Sequence, residues 1–98
     1  MPKHIADQLQ AASLRGLLEA KHLDHLRVRR NGVLLVLESG SDDDPVAHAR
    51  FRRLGAHLWR LEMPTHTRTW QVTPLRGQIY DLLNCLVDQF PWTLAPVA

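Results

Sequence analysis

The spacing of apolar residues changes along the chain. Over residues 5–20, IADQLQAASLRGLLEA, Ile5, Leu9, Ala12 and Leu17 recur at helical spacing and predict an amphipathic helix with those residues on one face. Gly16 weakens it slightly. From His25 the pattern shortens to alternation. The run HLRVRRNGVLLVLES holds Asn31-Gly32 between two strand-like segments, the sequence of a tight hairpin turn that needs positive φ at both central positions. That turn sets Val28 against Leu35 and Leu26 against Leu37 on a core face. His25, Arg27 and Arg29 fall on the other face, opposite Glu38, Val36 and Leu34. Residues 39–45, SGSDDDP, read as a solvated loop that ends the strand. Its adjacent aspartates lack the alternate spacing of a calcium loop.

Alternation resumes in PVAHARFRR and HLWRLEM. With Leu54-Gly55-Ala56 as the connection, Phe51 faces Trp59, Ala49 faces Leu61 and Ala47 faces Met63 on an apolar side. The opposite side then pairs Arg52 with Leu58, Arg50 with Arg60 and His48 with Glu62. A shorter loop would mix Trp59 with Arg50, so the alternation selects the register. A further hairpin with Pro64–Thr67 as its loop sets Leu61 against Trp70, Trp59 against Val72 and Arg60 against Gln71. Beyond it, Thr73 reads as a helix N-cap and Pro74 as the first helical residue. Ile79, Leu82, Leu83, Leu86, Val87 and Phe90 form the stripe of that helix, Pro91 ends it, and Trp92 and Leu94 dock the tail. The expectation is a two-layer α+β domain spanning 1–98. A helix within 1–22 and a helix and tail in 73–98 pack on the Trp59/Trp70 face of a five-stranded antiparallel meander in 23–72.

Composition narrows the function classes. A chain of 98 residues that is 45% hydrophobic and 22% charged suits one soluble domain. Its longest apolar run, Val33–Leu37, cannot span a bilayer, and nothing resembles a secretion leader. The single cysteine, Cys85, forms no internal disulfide, consistent with a cytoplasmic protein. Net charge is only +2, but the cations are arginine apart from Lys3 and Lys21. Arginine suits planar, bidentate contact with carboxylate or phosphate.

Pro45, Val46, Ala47, Phe51, Trp59, Arg60, Leu61 and Trp70 together resemble a bacterial domain-of-unknown-function family. That family has a P-[VI]-A-x-x-x-[FY] strand, a W-[KR]-L hairpin and a second tryptophan eleven residues after the first. The likeness covers about half the chain and ends with DQFPWTL. It implies the fold, with its motif residues at core and hairpin positions, and carries no known activity.

Candidate chemistry is sparse. His22 and His25 form H-x-x-H, but a helix end and a strand point their rings apart. Zinc would need two further ligands from residues such as His57, His66 or Cys85, so no metal and no cofactor are expected. There is no glycine-flanked serine elbow and no phosphate-binding glycine loop. His48, Arg50, Arg60 and Glu62 share a face, as general acid–base groups do in small RNA-cleaving enzymes. A cross-strand His–Glu pair beside solvated arginines is the simpler reading. What remains is a basic sheet face carrying Arg27, Arg29, His48, Arg50, Arg52 and Arg60, with His25, Leu34, Val36 and Leu58 between them. Like charges directly opposite one another destabilise a sheet. They are offset by splaying into solvent, by Glu38 and Glu62, or by a bound anion. A non-enzymatic surface for an acidic protein partner, or for a second copy of the chain, fits arginine set over apolar surface. Nucleic acid is the alternative and RNA cleavage a second one.

Overall fold

The computed structural model describes residues 8–65, 67 and 69–95. Helix α1 (Gln8–Ala20) leads into strands β1 (Arg27–Asn31), β2 (Leu34–Ser41), β3 (Asp44–Arg53), β4 (Trp59–Pro64) and β5 (Trp70–Gly77). Helix α2 (Ile79–Gln89) and a 3-10 turn (Pro91–Leu94) follow. The strands form one antiparallel sheet in the order β1-β2-β3-β4-β5, the expected α+β meander. Both helices bury one apolar face in a single core with Val28, Leu35, Leu37, Ala49, Phe51, Trp59 and Leu61. They therefore lie on one side of the sheet, and no described helix covers its other, open side.

The first helix uses a different face from the one expected. Ala11, Leu14 and Leu18 are buried, whereas Leu9 is 79% exposed. Ala12 is exposed and Leu17 only half-buried; Ile5 lies outside the described residues. The C-terminus of α1 explains the rotation. His22 adopts a left-handed φ of 60°, and the Leu23 N–H donates to Leu18 O at 2.8 Å while the His22 N–H donates to Glu19 O at 3.1 Å. This closure folds Leu23 back and turns Leu18 inward.

The first hairpin forms, but two residues away from the expected register: Val28 lies opposite Leu37, not Leu35, and Arg29 opposite Val36. Asn31 pairs with Leu34 and the turn falls on Gly32-Val33, where only the glycine takes positive φ. The even shift keeps each side chain on its expected face. Residues 39–45 do not form a loop. Strands β2 and β3 run through them to a turn at Asp42-Asp43, with Ser41 opposite Asp44. Gly40, at φ +85°, makes this possible, since a Cβ there would sit 3.1 Å from Asp44 O. The β2–β3 register shifts by one residue, with Leu37 opposite Ala49 but Glu38 opposite Ala47. His48 is the extra residue, a β-bulge.

Strand β3 pairs with β4 two residues away from the expected register. Phe51 lies opposite Leu61, Arg50 opposite Glu62, Arg52 opposite Arg60 and Arg53 opposite Trp59. An even shift keeps every side chain on its face but changes its partners. Leu58 leaves the sheet for the loop, whose ends are tied by Leu54 N–H to Leu58 O at 2.8 Å. Arg53 also clasps this loop through the Gly55 and Ala56 carbonyls.

The β4–β5 pairing overturns more. Pro64 lies opposite Trp70 and Glu62 opposite Val72, whereas Arg60 lies opposite Arg76. Trp70 and Val72 therefore stand on the open face, not in the core, and Val72 is 54% exposed. Between these two registers Leu61 faces a bulge at Thr73–Leu75. The Thr73 hydroxyl donates to Leu61 O at 2.8 Å and accepts the Leu75 N–H at 3.2 Å. Thr73 and Pro74 thus belong to an edge strand, where a missing N–H is tolerated. The α2 N-cap is Gln78, without a side-chain cap bond. The apolar stripe of α2 packs on the core as expected, with Leu82, Leu83 and Leu86 buried.

Candidate functional site

The open face is ordered in three rows that run across the strands. The first holds Asn31, Leu34, Arg52, Arg60 and Arg76, and the second Arg29, Val36, Arg50, Glu62 and Val72. In the third, Arg27, Glu38 and Ala47 are followed by a gap, then Pro64 and Trp70. Among the described residues no helix covers these rows.

Arginine does face arginine, but Arg60 stands between Arg52 and Arg76, not opposite Arg50. The two-residue register shift brings Glu62 into the middle of the group. Its Oε1 accepts Arg50 Nε at 2.6 Å, and its Oε2 accepts Arg52 Nε at 2.8 Å and Arg60 Nη2 at 3.1 Å. Glu62 is 1% exposed. Burial alone would push this carboxyl up, but the hydrogen bonds from Arg52, Arg50 and Arg60, with the charge of Arg50, outweigh it and hold the pKa at about 2. A second buried acid, Glu38, accepts Arg29 Nε at 3.1 Å and lies 3.8 Å from Arg27. Arg27 also donates to the Gly40 carbonyl and so braces the β2–β3 turn.

The carboxylates thus anchor the guanidiniums and leave some of them partly exposed. Arg52 is 33% and Arg29 51% exposed at the side chain. The Arg50 guanidinium stacks 4.2 Å above the Trp70 ring, a cation–π contact that also fixes the indole. The sequence pointed to no such partner, because it assigned Trp70 to the core.

Besides Leu58, both expected histidines of the face are elsewhere. The bulge turns His48 to the helix side, where it is 4% exposed. Its Nδ1 donates to the Thr93 carbonyl at 2.7 Å, which leaves Nε2 to accept the Ser39 hydroxyl at 2.7 Å. His25 precedes β1 and its Nε2 donates to Leu94 O at 2.7 Å. The two imidazoles clamp consecutive carbonyls of the C-terminal turn, with ring centroids 6.5 Å apart. Sequence reasoning missed this cluster, since nothing local marks a tail carbonyl as a partner. His48 and Glu62 therefore do not form the acid–base pair that shared strand parity implied. Ser39 and His48 make a nucleophile-like contact, but both are buried beneath the tail.

Among the described residues no group of three or more His, Cys, Asp or Glu side chains is placed to hold a metal; His66 lies outside them. Cys85 is half-buried in α2. No protein-family model matches the chain, and comparisons with curated proteins and with solved structures likewise return no match.

Proposed function

We propose that the open sheet face is a non-enzymatic docking surface for an acidic segment of a partner protein. The observation that carries this reading is the Glu62 lattice. One buried carboxylate orders Arg50, Arg52 and Arg60 on a face that no described helix covers. Six arginines stand there against Glu38 and Glu62, so the face keeps a positive excess that internal pairing does not cancel. Fixing the guanidiniums beforehand lowers the side-chain entropy lost on binding a carboxylate. Exposed Val72 and the indole of Trp70 add the apolar surface typical of protein interfaces.

A single-stranded nucleic acid is the second reading, favoured by one observation: Trp70 beside Arg50 is the pairing on which bases stack. The net charge of +2 favours a protein partner, since a dedicated nucleic-acid binder carries a larger basic excess.

Fluorescence anisotropy with two labelled probes separates the readings: a glutamate-rich peptide and an oligouridylate of similar charge. Wild type should prefer the peptide. Arg29→Ala/Arg52→Ala, which leaves Glu62 with Arg50 and Arg60, should weaken it by about tenfold or more. Preference for the oligonucleotide, with a steep salt dependence, would establish the second reading instead. Sedimentation of the protein alone distinguishes a second copy of the chain as the partner.

A further inference from the structure

The gap in the third row has a structural cause. Pairing between β3 and β4 ends at Arg50 and Glu62, yet β3 continues to Asp44 and β4 to Pro64. Among the described residues, strand β3 over Asp44–Ala47 pairs with β2 alone, and Pro64 with β5 alone. A bulge bends the strand that carries it, and the bulge at His48 lies where β3 leaves β4. The splayed strands enclose a cleft of about 460 Å³ whose walls include Asp44, Val46, Ala47, Pro64, Thr65 and Trp70. That volume is in the range of pockets that bind small molecules.

The cleft differs from an ordinary surface hollow in two ways. One wall is an open strand edge inside the sheet, where an incoming chain can pair as an added strand. The two ends also carry opposite charge. Asp44 is exposed at one end, and Arg50 lies over Trp70 at the other.

We propose that this cleft takes one extended strand of the acidic partner, which lies along the open edge of β3. Its acidic side chain meets Arg50 and an apolar side chain rests on Trp70. This inference rests on the docking function proposed above and names the form in which the partner binds. The carboxylate belongs at the Arg50 end, because Asp44 repels it at the other.

Two synthetic peptides, acetyl-Glu-Thr-Val-Thr-Val-amide, whose glutamate and valines share one strand face, and its lysine-for-glutamate twin, test the assignment by titration into ¹⁵N-labelled protein. The acidic peptide should saturably shift the amides of Val46, Ala47 and Thr65 and the indole N–H of Trp70. Backbone contacts between the peptide and Val46–Ala47 should be visible as intermolecular Overhauser effects. The lysine twin should bind about tenfold more weakly or worse. Shifts confined to the arginine side chains, with the cleft amides unmoved, would overturn the cleft and leave the docking surface standing. Equal binding of the lysine twin would overturn the assigned charge polarity and with it the proposal. No response anywhere to either peptide would overturn both readings.

Discussion

Glu62 illustrates how one residue sets the character of a surface. A carboxylate at 1% exposure is strongly destabilising unless paired, and here three guanidiniums share it. Removing its charge would leave Arg50, Arg52 and Arg60 repelling one another in half-buried positions. Glu62→Gln should therefore destabilise the fold by about 3–5 kcal/mol in urea unfolding at pH 7. The same carboxyl gives a pH signature. Its pKa is lowered from 4.5 to about 2 on folding, so its stabilisation is fully present above pH 4.5 and is lost as the pH falls through 2. The loss amounts to about 3 kcal/mol. Unfolding free energies measured from pH 6 to pH 2 should show this fall in wild type and lack it in Glu62→Gln. Parallel curves would mean that Glu62 is not held by the lattice.

At the scale of elements, the informative residues are the two tryptophans. Trp59 is 2% exposed among core side chains, and Trp59→Ala should cost about 3–5 kcal/mol. Trp70 stands on the open face under Arg50, so Trp70→Ala should cost only about 0.5–1 kcal/mol. Chemical denaturation of the two variants checks the β4–β5 register, because a core position for Trp70 would make the losses similar. The alternation of Val28, Leu35, Leu37, Phe51, Trp59 and Leu61 made most of the core face and the strand order legible in the sequence. Irregularities that alternation does not encode were hidden. The bulge at His48 reverses one side chain, and Thr73–Leu75 absorbs a second shift through a hydroxyl bond that resembles a helix cap in sequence. The even slip between β3 and β4 preserves the faces, which is why the arginine surface was legible. It changes the partners, which is why Glu62 was assigned to His48 and not to the arginines. Arg27, Arg29, Arg50, Arg52 and Arg60 were all placed on the right face; His25, His48 and Leu58 were not.

For the whole molecule, a small net charge conceals separation. Six of the ten arginines collect on one side of the sheet, while Asp42, Asp43 and Asp44 are exposed at the β2–β3 turn. Helices α1 and α2 stack on the opposite side, and no described helix is long and apolar enough to cross a membrane. The result is a two-layer domain with one covered face and one open, basic and partly apolar face. Such a face is stable by itself because Glu38 and Glu62 neutralise its interior, and the Arg29 and Arg52 side chains remain partly exposed on it. The Nε–H signals of the arginines report on both properties together. At pH 7, Arg29, Arg50 and Arg52 should give resolved, slowly exchanging Nε–H resonances, since each is bonded to a buried carboxylate. Addition of a glutamate-rich peptide should shift those of Arg29 and Arg52 saturably, and a lysine-rich peptide of equal length should not. Rapidly exchanging signals at the position of solvated arginine, unmoved by the acidic peptide, would contradict both the ordered lattice and its role as a docking surface.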